Sequence, residues 1–331
     1  MDNEQLYFIL TNLTVKKMFV FYSVLTTSVT FYGRKFNQSS RITSSDLEID
    51  IHFCSFTTMT SDYGGAVEIR STSSILLVSY TSFVSCTANS QGGGIYSLCN
   101  DNKVRYSCFQ YCHCTNGWGP AIFMVGLYAA INQTTALNCP ASGYVSHGDI
   151  MGFGNGEKLF SYLNFSNKGG GSLQNGGSIE VNNAVSVTMM YCISDSIKST
   201  HHHTIINCQS TSITYYQYIR NTVNYLIYTK DFNTDIHYSM FYSNSGGLTY
   251  SPNSKKVNIL YSTANPVSNN GNALGSTTGS NFAVSNPTSI IMNIIDHEKC
   301  LIYTTPMPNT MSYNQFGIHN VLSRIILILL Y

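Results

Sequence analysis

Apolar and polar residues alternate one for one in Ile49-Asp50-Ile51-His52-Phe53 and again in Val67-Glu68-Ile69, the period of two expected of strands that bury one face. From residue 40 to 300 no stretch of 12 or more residues sustains the i, i+3, i+4, i+7 apolar spacing of an amphipathic helix. Thr, Tyr, Val, Ile and Phe fill the periodic segments, which suits the pleated surface of a sheet. The pattern predicts an all-β chain and excludes helical repeats.

The alternation is itself repeated. Segments 52–69, 79–98 and 106–125 lie over one another, with Phe56, Phe83 and Phe109 at intervals of 27 and 26 residues. Gly65, Gly93 and Gly119 follow each Phe by nine or ten residues, and a β-branched residue (Val67, Ile95, Ile122) comes two or three places later. Aromatic, polar turn, glycine and β-branched strand form one unit of about 25 to 28 residues. If each pass returns to the same place about 4.8 Å further along an axis, like residues stack and the strands become parallel without crossover helices. The expectation is a right-handed parallel β-helix, a single-stranded solenoid over residues 41–300. Residues 1–40 form cap strands or a processed leader, and 301–331 a cap or a truncated membrane anchor. A β-sandwich would instead show hairpin turns every 8 to 12 residues or so. Register weakens after residue 140, and Gly143 to Gly177 and Ser262 to Ser289 read as long protruding turns. Strands are expected at Val185–Cys192, Tyr215–Tyr228, Asp235–Tyr242, Val257–Tyr261 and Ser289–Tyr303.

Gly64-Gly65-Ala66-Val67, Gly92-Gly93-Gly94-Ile95, Gly176-Gly177-Ser178-Ile179 and Phe241-Tyr242-Ser243-Asn244 carry a family resemblance. They resemble the GGA[ILV] and FxxN repeats of the polymorphic outer membrane proteins and of large surface-protein families of parasitic protists. One GGA[ILV] and one FxxN match outright, and the likeness covers residues 45–250. It implies a right-handed parallel β-helix of the pectin lyase-like kind at a cell surface, with adhesion as a role and no catalytic residues. The barrel that follows in the bacterial family has no counterpart here.

Hydrophobic residues make up 43% of the 331, enough for a core, but charged residues only 10%, against about 25% in an average soluble protein. With 17 basic and 16 acidic residues the net charge is +1. No basic stripe exists to neutralise phosphates, so nucleic acid is not an expected partner. Gly152-x-Gly154-x-Gly156 lacks the strand-to-helix context and Lys-Ser/Thr of a phosphate cradle, so neither is a nucleotide. No Gly-x-Ser-x-Gly occurs. Sequons at Asn12, Asn37, Asn132 and Asn164 point to a glycoprotein. Lys16-Lys17 before Met18–Leu25 resembles a displaced signal peptide, or else two buried strands. The apolar run Ile325–Tyr331 is far shorter than the roughly 20 residues of a bilayer span, so membrane association would need a lost anchor.

Four groups invite a chemical reading. Asp46, Glu48 and Asp50 share one strand face opposite Leu47, Ile49 and Ile51, a solvated face or the start of a carboxylate groove. Glu68 and Glu180 hold the same position in distant rungs and read as edge charges. Cys108, Cys112, His113 and Cys114 are soft ligands, but alternation sends Cys112 and Cys114 to one face and His113 to the other. Cys86 and Cys112 each follow their rung's Phe by three residues, which predicts neighbours: a buried cysteine ladder, then a disulfide, then a metal site, in falling order. His201-His202-His203 reads as a polar turn ahead of a surface metal site. No catalytic, metal or cofactor-binding residue is assigned and no cofactor is expected. A surface-exposed β-helix with a structural or adhesive role toward glycans or a host-cell surface follows, extracellular or at the cell surface, with a polysaccharide lyase or glycosidase as the alternative.

Overall fold

In the computed structural model the alternation becomes burial: along Glu48–His52, Ile49 and Ile51 are buried while Glu48, Asp50 and His52 stay half-exposed. The structure describes residues 28–32, 35–37, 42–45, 47–139, 149–166, 177–265 and 269–282. Three ten-stranded sheets form the body. The first runs from Ser28–Tyr32 through Glu48–His52 and Ile75–Ser79 to Val257–Leu260. The second runs from Lys35–Asn37 through Ser55–Thr57 and Ser82–Val84 to Thr263–Ala264, and the third from Ile42–Thr43 through Val67–Ile69 and Ile95–Ser97 to Asn269–Gly271. Thr60–Tyr63, Thr87–Gln91 and His113–Cys114 add a short fourth sheet. Neighbours pair in parallel, as in Ile49↔Leu76, Phe56↔Phe83 and Val67↔Ile95. The described residues contain no helix. The chain is a parallel β-helix, and the parallel pairing rules out the sandwich.

Register does not fail after residue 140. Met151–Gly154, Glu157–Ser161 and Asn164–Ser166 continue the three sheets inside the segment expected to be a long turn. Rung length varies instead, from 29 residues between Gln133 and Tyr162 to 23 between Tyr215 and Tyr238. That drift blurs a fixed-period comparison while each strand still finds its partner. Strands Ser186–Met190, Gln217–Ile219, Thr222–Thr229, Thr234–His237, Met240–Tyr242 and Val257–Leu260 lie where the pattern placed them. The 289–303 strand, the possible leader, the 301–331 segment, Asn12 and Asp46 lie outside the described residues.

The interior is built of columns. Phe56, Phe83 and Phe109 are fully buried and stacked, with centroids 5.0 and 4.6 Å apart and planes 5° and 1° from parallel. The glycine column needs one correction: Val67, Ile95 and Ile122 pair directly, so Gly119 aligns with Gly64 and Gly92 and not with Gly65 and Gly93. Gly64, Gly92 and Gly119 all have φ between 54° and 69°, the left-handed conformation that glycine adopts without steric cost.

Candidate functional site

The corner between the first and second sheets forces one residue per rung into left-handed backbone. Phe53, Tyr80, Tyr106, Gln133, Tyr162, Tyr191, Tyr215, Tyr238 and Tyr261 have φ between 45° and 55°. Two sets of bonds hold them there. Each corner amide donates to a carbonyl of the next rung, as from Tyr80 to Arg105 (3.2 Å) and from Tyr191 to Thr214 (3.1 Å). The buried residue that follows turns back onto the carbonyl preceding the corner: Thr81 Oγ1 donates to Ser79, Ser107 Oγ to Arg105, Cys192 Sγ to Met190 and Ser239 Oγ to His237. A small buried hydroxyl or thiol is what the corner requires there.

The same device explains the cysteines. Cys54, Cys86, Cys112, Cys139, Cys192 and Cys208 each follow a positive-φ residue, and each thiol donates to the carbonyl two residues earlier. All six are buried free thiols. Cys86 and Cys112 immediately precede the paired residues Thr87 and His113, so they are neighbours in a buried thiol ladder and not a disulfide. Burial pushes Cys192 up to about 12 and Cys208 up to about 11.

What distinguishes the first corner is its outward side chains. Eight of the nine are aromatic. Phe53, Tyr80 and Tyr106 stack at 4.8 and 4.7 Å within 5° of parallel. Tyr162, Tyr191, Tyr215, Tyr238 and Tyr261 stack at 5.1, 5.0, 5.3 and 5.4 Å within 16°. The rings are half-exposed to exposed, Tyr261 reaching 52%. Gln133 alone interrupts the series. Equivalent backbone elsewhere is filled differently: Thr58, Ser85, Asn138, Ser196 and Ser243 occupy left-handed positions after second-sheet strands, with Tyr111 and Arg220 as exceptions, and Asn155, Asn183 and Asn207 do so after third-sheet strands.

Energetics show what is unusual. A left-handed residue with a bulky side chain costs about 1–2 kcal/mol, and Asn or Gly less. A stacked aromatic pair returns about 0.5–1.5 kcal/mol. The ladder therefore gains little stability over an asparagine ladder. Because the rings stack along the axis, they offer solvent their edges and phenol hydroxyls, repeated at the rung spacing. Arg105 is the one formally charged residue among those preceding the corner between residues 79 and 161, beside Ser79, Asn132 and Ser161.

The groups singled out in the sequence fare unevenly. Glu48 and Asp50 face outward, but the next rung places Ile75 and Leu77 over them and the one after that Asp101 and Lys103, so no carboxylate column forms. Asp50 Oδ1 lies 2.5 Å from His52 Nε2, a contact poorly directed for a hydrogen bond, and His52 Nδ1 bonds Ser79 Oγ. The order resembles a hydrolytic triad, yet Ser79 is 2% exposed and the amides of Tyr80 and Thr81 are taken by Arg105 O and Ser107 Oγ. No pair of free amides is left there to stabilise an oxyanion.

Glu68 and Glu180 do share a column, joined through Tyr96, Phe123 and Gly152, but they are not edge charges. They are 7% and 5% exposed. Glu68 pairs with Arg70 at 2.5 Å, whose guanidinium lies 4.6 Å from the centre of the Tyr63 ring, and burial raises Glu180 to about 7. The His triplet is no turn either. It sits in the strand Lys198–Ile206, and the neighbours of His203 in register are Ile179 and Ile227. His202 and His203 are fully buried, Nδ1 of each meeting the hydroxyl of Ser178 or Tyr218 at 3.2 Å while Nε2 has no partner. Cys112 and Cys114 are buried and His113 half-exposed, as alternation requires. Among the described residues no three His, Cys, Asp or Glu converge as a metal site. Asn132 and Asn164 lie half-buried on strands.

Sequence reasoning passed over the ladder itself. Its signal was present, an aromatic residue three places before each stacked Phe in Phe53/Phe56, Tyr80/Phe83 and Tyr106/Phe109. No family model matches the chain, and no curated protein or solved structure matches it either.

Proposed function

We propose that the chain is a surface-exposed binding protein whose aromatic ladder holds an extended, uncharged glycan along the solenoid axis, outside the cell or at its surface. The observation that carries this is the occupancy of the first corner: eight aromatic residues in nine consecutive left-handed positions where asparagine would serve the fold as well. The tyrosine rings repeat along the axis at 4.7 to 5.4 Å, so successive units of an extended polymer lying along the ladder meet equivalent phenol hydroxyls. Tyrosine supplies amphipathic contact area at low ordering cost, and the rigid β-helix leaves little to immobilise on binding. The scarcity of charge beside the ladder favours a neutral polymer over a uronate or a nucleic acid. An adhesive role of this kind agrees with the surface families that the glycine repeats resemble.

Affinity electrophoresis through gels containing neutral β-linked polysaccharides tests the reading. Retardation of the wild-type chain, lost in a Tyr191→Asn, Tyr215→Asn double variant with an unchanged melting curve, supports it, because asparagine suits the left-handed corner. Retardation by none of the polymers, or equal retardation of both proteins, overturns it. The same incubations report turnover: release of reducing ends abolished by Glu48→Gln with Asp50→Asn would promote a lyase or glycosidase instead.

A further inference from the structure

We infer that the outer face of the first sheet is a self-association surface, on which two copies of this chain pack face to face about a two-fold axis running along the strand Ile75–Ser79. The inference does not depend on what the aromatic ladder binds.

The outward positions of that sheet are the first, third and fifth residues of each strand. Glu48, Asp50 and His52 stand in one rung, Ile75, Leu77 and Ser79 in the next, and Asp101, Lys103 and Arg105 in the one after. Ile75 is exposed and Leu77 half-exposed, so an apolar bar separates an acidic rung from a rung with two bases and one acid. Lys103 and Arg105 are exposed, and Lys103 Nζ lies 2.7 Å from Asp101 Oδ2. Thr30 and Tyr32 flank the acidic rung, and Ala130 and Asn132 flank the basic one, all of them uncharged.

A two-fold axis along a strand keeps each column facing its own copy and inverts the order of the rungs. Centred on Ile75–Ser79, it lays Ile75 on Ile75 and Leu77 on Leu77. It also sets Lys103 of each copy opposite Asp50 of the other, and Arg105 opposite His52. An ammonium has three donors, so Lys103 can keep Asp101 while it meets the second Asp50. The one like-charged facing is Glu48 with Asp101, at the start of the strands, where Lys103 already offsets Asp101. Other placements are penalised by the same residues. An axis along the solenoid sets Asp50 on Asp50 and Lys103 on Lys103. A strand axis moved to the Asp101–Arg105 rung again sets Lys103 on itself, one moved to the Tyr128–Asn132 rung sets Asp101 against Glu157, and one lying between rungs sets Leu77 against Asp50 or Lys103.

Packed in this way the two sheets lie about 10 Å apart with their strands nearly aligned, as in a sandwich. The rungs from Ser28–Tyr32 to Tyr128–Asn132 find a counterpart in the second copy. They cover about 24 Å by about 17 Å, on the order of 400 Å² a copy, against about 800 Å² in a standard interface. The dimer is therefore weak and forms as concentration rises.

Sedimentation velocity of the full chain, from micromolar to near-millimolar concentration, tests the inference. The expected result is a reversible monomer–dimer equilibrium, weakened by salt. Leu77→Lys, which places two ammonium groups on the axis, weakens it about tenfold or more, as do Lys103→Asp and Asp50→Lys taken singly. All three side chains point outward, so the melting curves are expected to stay close to that of the wild-type chain. The last two variants, mixed one to one, associate again, because each Lys103/Asp50 contact of the mixed dimer regains opposite charges. A chain that stays monomeric throughout, association that continues past two copies, a dimer untouched by Leu77→Lys, or failure of the mixed variants to associate overturns the inference.

Discussion

Phe83 and Phe109 occupy the same position in consecutive rungs, their rings 4.6 Å apart and 1° from parallel, with Phe56 below them at 5.0 Å from Phe83. Phe83 therefore has an aromatic face on both sides and no exposed surface. Replacing it with alanine removes both stacks and leaves a cavity that rigid strands cannot close. Phe83→Ala is expected to cost about 3 to 5 kcal/mol, read from the shift in urea midpoint at unchanged slope. A loss below about 1 kcal/mol would show that the column contributes little.

His202 and His203 make the fold acid-sensitive. Burial holds His202 down at about 3, and burial together with the neighbouring His202 holds His203 well below its ordinary value. The groups in contact with their rings, Ser178, Tyr216 and Tyr218, are neutral. Above about pH 6.5 neither the folded nor the unfolded chain protonates these rings, so their contribution to stability is level there. As pH falls below that value the unfolded chain binds protons that the folded chain refuses, and stability falls by up to about 1.4 kcal/mol per pH unit for each histidine, for His202 down to about pH 3. His113, also lowered by burial, adds a smaller effect of the same sign. Denaturant midpoints measured from pH 7 to 5 should fall more steeply for the wild-type chain than for His203→Ile, which matches Ile179 and Ile227 in that column. Equal slopes would mean that His203 titrates normally.

The corner thiols should be chemically silent. Burial raises Cys192 to about 12 and Cys208 to about 11 and lifts Cys112 well above the usual thiol range, so little thiolate is present at pH 8. Alkylation of the native chain followed by peptide mapping is expected to leave Cys86, Cys112, Cys139, Cys192 and Cys208 unmodified until denaturant is added. Cys112→Ser keeps the donor to Gln110 O, as Ser107 and Ser239 do at other corners, and should change stability by no more than about 1 kcal/mol. Rapid modification of Cys112 in the native chain would contradict its place in the core.

The sequence by itself determined the architecture, because alternation and recurrence are local: Ile49 and Ile51 must face away from Asp50, and Phe56, Phe83 and Phe109 recur at a spacing that stacking alone explains. It also determined that Cys86 and Cys112 would be neighbours, since both sit at one offset from an aligned Phe. Only the tertiary structure decided which face each column occupies and how it is covered. Glu68 and Glu180 read as exposed charges because alternation puts them on the outer face of their sheet, and nothing local reveals that this face is covered. His202 and His203 read as a turn because polar triplets usually are, and their burial depends on Ile179 and Ile227, more than twenty residues away on either side. The aromatic ladder was spelled out in the chain, but its meaning depends on the sign of φ at each corner, which is set by hydrogen bonds to the next rung and by the buried hydroxyl or thiol that follows. Those bonds exist only once the rungs are stacked, and with them a row of tyrosines becomes an outward edge of the solenoid instead of part of a core.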